Sequence, residues 1–132
     1  MGLKFDYWPR ATETGMEHDP VVGVSFINPL NGSSVDVDCL IDSGADDIIL
    51  NAEFAKILDI NLEKSEKRFY QGIADKPVEA GLRKLKIHLS GDSKTYEVRC
   101  AFMPGLKRAG LLGQNGFFDN YKILFERNKK RF

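Results

Sequence analysis

Asp42 closes an apolar segment, Cys39-Leu40-Ile41, and is followed at once by Ser43 and Gly44. A strand end that feeds a tight turn presents a side chain rigidly. Gly44 leaves the backbone uncovered, so a ligand or another chain can approach closely. Ser43 carries a hydroxyl that can hydrogen-bond locally and hold the turn in shape. The chemistry on offer is that of one firmly held carboxylate beside open backbone. Taken alone, the tripeptide also reads as an Asx-type turn in which Asp42 accepts from backbone amides.

Other reactive residues are scattered. His18 lies in a polar stretch and His88 on the outward face of an alternating segment, with no Ser or Cys in a nucleophile motif to join them. Asp36, Asp38, Asp42, Asp46 and Asp47 form an acidic cluster in sequence. Asp36 and Asp38 alternate with apolar neighbours and read as a solvated strand face, and the spacing is not that of an EF-hand. No phosphate-binding Gly loop is present. Neither a metal nor an organic cofactor is expected.

The elements that must position Asp42 are short strands. Residues 1–19 are polar and broken by Trp8-Pro9 and Asp19-Pro20, so they are expected to form an irregular N-terminal arm before a domain over 20–132. Val22, Val24 and Phe26 alternate with Gly23 and Ser25, and Val35 to Ile41 alternates again after an Asn- and Gly-rich turn, predicting a hairpin. Asn51 can cap a short helix over 52–58. Further strands are expected over 68–71, 78–89 and 95–103, then a helical turn over 116–120 and a last strand over 121–125 with Tyr121, Ile123 and Phe125 on one side.

Composition sets limits on function. A chain of 132 residues fits one domain. It carries 19 basic and 19 acidic residues, and this balance argues against non-specific nucleic-acid binding. The basic stretch over 122–132 reads as a solvated terminus. Apolar runs such as Ile48-Ile49-Leu50 fall far short of the ~20 residues that span a membrane. No secretory signal is evident after Met1, so a cytoplasmic location is expected. Cys39 and Cys100 are each in phase with apolar neighbours and read as reduced core residues.

Three segments together resemble a known family. Leu40-Ile41-Asp42-Ser43-Gly44-Ala45-Asp46-Asp47 is similar to the catalytic motif of retropepsin-like aspartic proteases. Leu111-Leu112-Gly113-Gln114-Asn115 is similar to that family's second hallmark, and Tyr70-Gln71-Gly72-Ile73-Ala74-Asp75 stands where its glycine-containing flap belongs. The resemblance runs from about residue 20 to 125 and is closest to the single-domain bacterial-type branch. It implies a mostly-β closed barrel or sandwich with one or two short helices, acting as a homodimer.

It also implies roles. Asp42 would be the catalytic carboxylate, Ser43 a brace at the dimer centre, and Gly44 a backbone acceptor for substrate. Ala45, Asp46, Asp47, Gly72, Ile73 and Ala74 would line the substrate cleft. Asp46 would take part in an ion pair whose usual Arg is Gln114 here, so Arg10, Arg83 or another cation would have to replace it. Peptide hydrolysis by this class needs two carboxylates that share a proton around one water, since two such groups about 3 Å apart cannot both ionise. One Asp-Ser-Gly per chain means that a second copy must supply the partner. The implied activity is endopeptidase cleavage of a polypeptide bound as an added strand. The alternative is a dimeric peptide-binding or assembly module on the same fold with little or no cleavage.

Overall fold

The computed structural model describes residues 2–71 and 76–132. Most of the alternating segments become strands. β1 (Trp8–Thr12) and β2 (Gly15–Asp19) form a two-stranded antiparallel ribbon. An irregular arm was expected there, and the reason for the difference is chemical. The ribbon is held by polar links that leave no apolar alternation: Arg10 Nε donates to Asp19 Oδ2 at 2.7 Å across the ladder, and Thr12 Oγ1 donates to the Gly15 carbonyl at 2.9 Å.

β3 (Val21–Ile27) and β4 (Ser34–Ile41) make the expected hairpin, with Val24 opposite Val37. They are followed by β5 (Ile48–Asn51), α1 (Phe54–Ile57), β6 (Glu66–Gln71), β7 (Pro77–Leu89), β8 (Thr95–Met103) and β9 (Gly110–Leu112). Neighbouring strands run in the order β3-β4-β9-β5-β8-β7, and a β3–β7 pairing closes these six into a barrel. The fold is mostly β with one short helix, as expected.

β7 is 13 residues long and serves two partners on one edge. Its first half pairs with β6, from Pro77↔Gln71 to Leu82↔Glu66, and its last turns of ladder pair with β3, from Lys86↔Ile27 to Leu89↔Val24. The β6–β7 hairpin therefore extends from the barrel wall. The predicted cleft residues Gly72, Ile73 and Ala74, between β6 and β7, lie outside the described residues.

Phe26, Cys39, Leu50, Leu85, Ile87, Cys100, Phe102 and Phe117 fill the barrel and are buried. Each large apolar side chain among them contributes about 2 kcal/mol by leaving water. A smaller cluster, Ile49, Ala80, Leu82 and Ala101, lies apart from this core, with Tyr70 packed on it. The helix is shorter than the expected 52–58. Asn51 Oδ1 does accept from Glu53 N at 3.0 Å, but Asp59 takes a left-handed φ of 55° and ends the turn.

Near the C-terminus one expectation holds and one fails. Residues 116–120 form turns entered through Gly116 at φ 95°, and Tyr121 N donates to the Phe117 carbonyl at 3.0 Å, closing a single helical turn that is not extended into a helix. Residues 121–125 join no ladder among the described residues, although Tyr121 and Ile123 pack against the core. The chain instead passes through a 3-10 turn at Arg127–Lys129 and meets its own N-terminal segment. Phe5 and Phe132 exchange backbone hydrogen bonds at 2.8 Å each, and their rings stack with centroids 5.6 Å apart.

Candidate active site

Three strands fix the Asp42 turn. β4 leads into it, β5 leads out, and β9 lies between them, parallel to β4 and antiparallel to β5. Ile41 sits beside Leu112, and Asp42 N continues this ladder by donating to the Leu112 carbonyl at 3.0 Å. Asp42 is thus the first side chain beyond a three-strand junction. The Asx turn expected of the bare tripeptide is present: Gly44 N donates to Asp42 Oδ1 at 2.9 Å, and Ala45 N to the Asp42 carbonyl at 3.1 Å. This bond orients the carboxylate and leaves Oδ2 without a hydrogen-bond donor among the described residues.

The segment after β9 grips the rest of the loop. Gln114 N donates to the Ala45 carbonyl at 2.9 Å and Asn115 N to the Asp46 carbonyl at 2.7 Å. The Gln114 side chain adds Nε2 to the Ser43 carbonyl at 2.7 Å. Gly113 makes this approach possible, because a β-carbon there would lie 2.4 Å from the Asp47 carbonyl oxygen and 2.5 Å from that of Ala45. The two segments singled out in the sequence are therefore one structural unit.

Exposure separates the predicted residues. Ser43, Gly44 and Asp46 are exposed, while Asp42 and Ala45 are partly buried. Asp47 is 8% exposed. Neither Arg10 nor Arg83 replaces the missing cation of Asp46: Arg10 pairs with Asp19, and Arg83 Nε donates to Ser65 Oγ at 3.1 Å. Asp46 makes no ion pair among the described residues.

The local cation goes to Asp47 instead. Arg68 Nη1 lies 2.9 Å from Asp47 Oδ2, and the Tyr70 hydroxyl donates to the same oxygen at 2.6 Å. Asn115 Nδ2 donates to Oδ1 at 3.0 Å. Burial raises the Tyr70 phenol above its ordinary range, and the hydrogen bond to the Asp47 carboxylate adds to the rise. The Arg68 guanidinium also lies 5.4 Å from the centre of the Tyr70 ring. Sequence reasoning missed Arg68, Tyr70 and Asn115 as site residues. The signal available was their spacing: Arg68 and Tyr70 are two apart on one strand and so share a face.

His88 lies elsewhere, with Nε2 2.8 Å from the Asp92 carbonyl. Among the described residues, no group of three or more His, Cys, Asp or Glu is placed to hold a metal ion.

Known proteins match this arrangement. The profile of the family described as "gag-polyprotein putative aspartyl protease" matches residues 29–118, which include Asp42 and Gly113. The chain belongs to this retropepsin-like aspartyl protease family. A retropepsin-like aspartic protease from Rickettsia conorii has the same fold, with a TM-score of 0.66 at 18% identity, over 99% of this chain and 98% of that one. The retroviral protease-like domain of Ddi1 from Leishmania major superimposes with a TM-score of 0.57 at 16% identity, over 81% of this chain and 82% of that one. No curated protein sequence matches the chain.

Proposed function

We propose that the protein is an aspartic endopeptidase in which Asp42 and its counterpart in a second copy activate one water. The observation that carries this reading is the Asp42 turn itself. One carboxylate stands on an exposed turn, with Oδ1 held by Gly44 N at 2.9 Å and the turn fixed by the strand that precedes Gly113. Family membership supports the reaction class.

A single carboxylate cannot act as both base and acid in one step. Two copies that bring their Asp42 turns together would place like charges close enough for one proton to be shared, so the pair titrates as a unit. The ionised member takes a proton from water as the water attacks the scissile carbonyl. The protonated member donates to the carbonyl oxygen, and the pair later returns a proton to the leaving amine. Exposed backbone at Ser43 and Gly44 suits both the approach of the second copy and the binding of an extended polypeptide. Exposed Leu3, Leu124 and Phe125 near the chain ends offer apolar surface for the same association. The free buried thiols of Cys39 and Cys100 support a reducing, cytoplasmic setting.

The test is digestion of an unfolded protein at mildly acidic pH, with and without pepstatin, alongside sedimentation. Cleavage that requires Asp42, is blocked by pepstatin and rises with dimer formation is expected. Asp42→Asn preserves the acceptor at the turn, so it should fold and dimerise while losing activity at least ~1000-fold. Wild-type cleavage by Asp42→Asn, or a strictly monomeric active chain, would overturn the reading.

A further inference from the structure

Asp47 has the chemistry of a buried junction. Its two carboxylate oxygens take three side-chain donors from two elements: Asn115 from the segment after β9, and Tyr70 and Arg68 from β6. A carboxylate removed from water must be matched by partners, and the loss of one partner leaves an uncompensated charge. With the residue 8% exposed, all three donors are internal to the chain. The contrast with exposed Asp46, one position earlier, is complete.

The same strand is held a second way. The Tyr70 ring packs on the Ile49, Ala80, Leu82 and Ala101 cluster while its hydroxyl reaches Asp47. Ile49 belongs to β5, which begins one residue after Asp47. β6 therefore meets the Asp42 loop through one apolar and one polar contact on the same side chain. Its ladder to β7 would hold β6 to the barrel without fixing its distance from that loop.

We propose that Asp47 is a positioning residue that ties β6 to the Asp42 loop, so that hairpin and loop hold one spacing across the cleft. The carboxylate then serves architecture and does not read the substrate. Its catalytic consequence rests on the protease reading above, whereas the tie itself does not.

Hydrogen exchange and peptide kinetics on the full chain test this together, using Tyr70→Phe, Arg68→Met, Arg68→Lys and Asp47→Asn. Tyr70→Phe keeps the ring and its packing, so it should fold even if Asp47→Asn does not. In Tyr70→Phe and Arg68→Met, exchange of β6 amides should quicken about 10-fold while amides of β3 and β4 keep wild-type rates. KM for a peptide should rise several-fold with kcat nearly unchanged, and Arg68→Lys should restore most of both effects. Tyr70→Phe should cost less in the Asp47→Asn background than in the wild-type chain, because both changes act on the Tyr70–Asp47 bond. Wild-type β6 exchange in both Tyr70→Phe and Arg68→Met overturns the proposal, as does faster exchange spread evenly through the barrel. If no peptide is cleaved by the wild-type chain, the protease reading falls while β6 exchange still decides the tie.

Discussion

The Gln114 side chain donates to the Ser43 carbonyl at 2.7 Å, joining residues 71 positions apart in sequence. Gln114 stands where the family resemblance in the sequence implies an Arg, and here it braces the turn without any ion pair among the described residues. The brace is neutral, so its strength should depend little on salt. Gln114→Ala should lower stability by about 1 kcal/mol, equally at low and high ionic strength. Urea unfolding at two salt concentrations checks this, and a strongly salt-dependent loss would contradict it.

Gly113→Ala should be far more damaging. The added carbon would meet two backbone carbonyls at about 2.5 Å, and neither belongs to a flexible side chain. The loop or β9 must then move, at a cost of about 3 kcal/mol or more. Thermal unfolding should show a drop of at least roughly 8 °C for a domain of this size. Gly105→Ala is a control for substitution at a glycine with open space, although its positive φ adds strain of its own.

Acid should loosen the N-terminal ribbon through Asp19. Its carboxyl is held below the ordinary carboxylate range, chiefly by the hydrogen bond from Arg10, and Arg108 Nη2 also reaches it at 3.1 Å. A lowered folded value means that the contribution is present above the unfolded value near 3.9 and is lost as pH falls through the folded one. Asp19→Asn should therefore be less stable than wild type at pH 6, and the gap should narrow as the pH falls below the unfolded value near 3.9. Unfolding measured from pH 6 to 2.5 would show whether the two curves converge.

Both thiols should be inert in the native protein. Burial pushes Cys39 and Cys100 well above the ordinary thiol range, with the nearby Asp38 charge adding to the rise at Cys39. A thiol-reactive disulfide reagent at pH 8 should modify neither until denaturant is added, and then both. Rapid labelling of the folded chain would contradict the packed barrel.

The parts legible in the sequence were those with local signatures. Alternation in β3, β4, β7 and β8 reflects one face on the core, and Asp42 and Gly113 stood out because each is flanked by a short apolar run. β9 has only three residues, too few to alternate, and its neighbours are some seventy and sixty positions away. Residues 121–125 alternate like a strand, yet alternation reports a buried face and does not supply a ladder partner. Asp46 and Asp47 look equivalent side by side. What divides them is Arg68 and Tyr70, more than twenty positions on and brought close by the hairpin.

The placement of β9 between β4 and β5 also has a consequence for the order in which the molecule comes into being. Asp42 emerges from the ribosome well before Leu112 and Gln114, by about 70 residues of synthesis. At roughly 5–20 residues per second, that is a delay of roughly 4 to 14 s. Throughout it the nascent chain carries the motif without the strand that shapes it. Any hydrolytic competence would have to wait until Leu112 and Gln114 had been made, because the turn that holds Asp42 has no neighbouring strand before then.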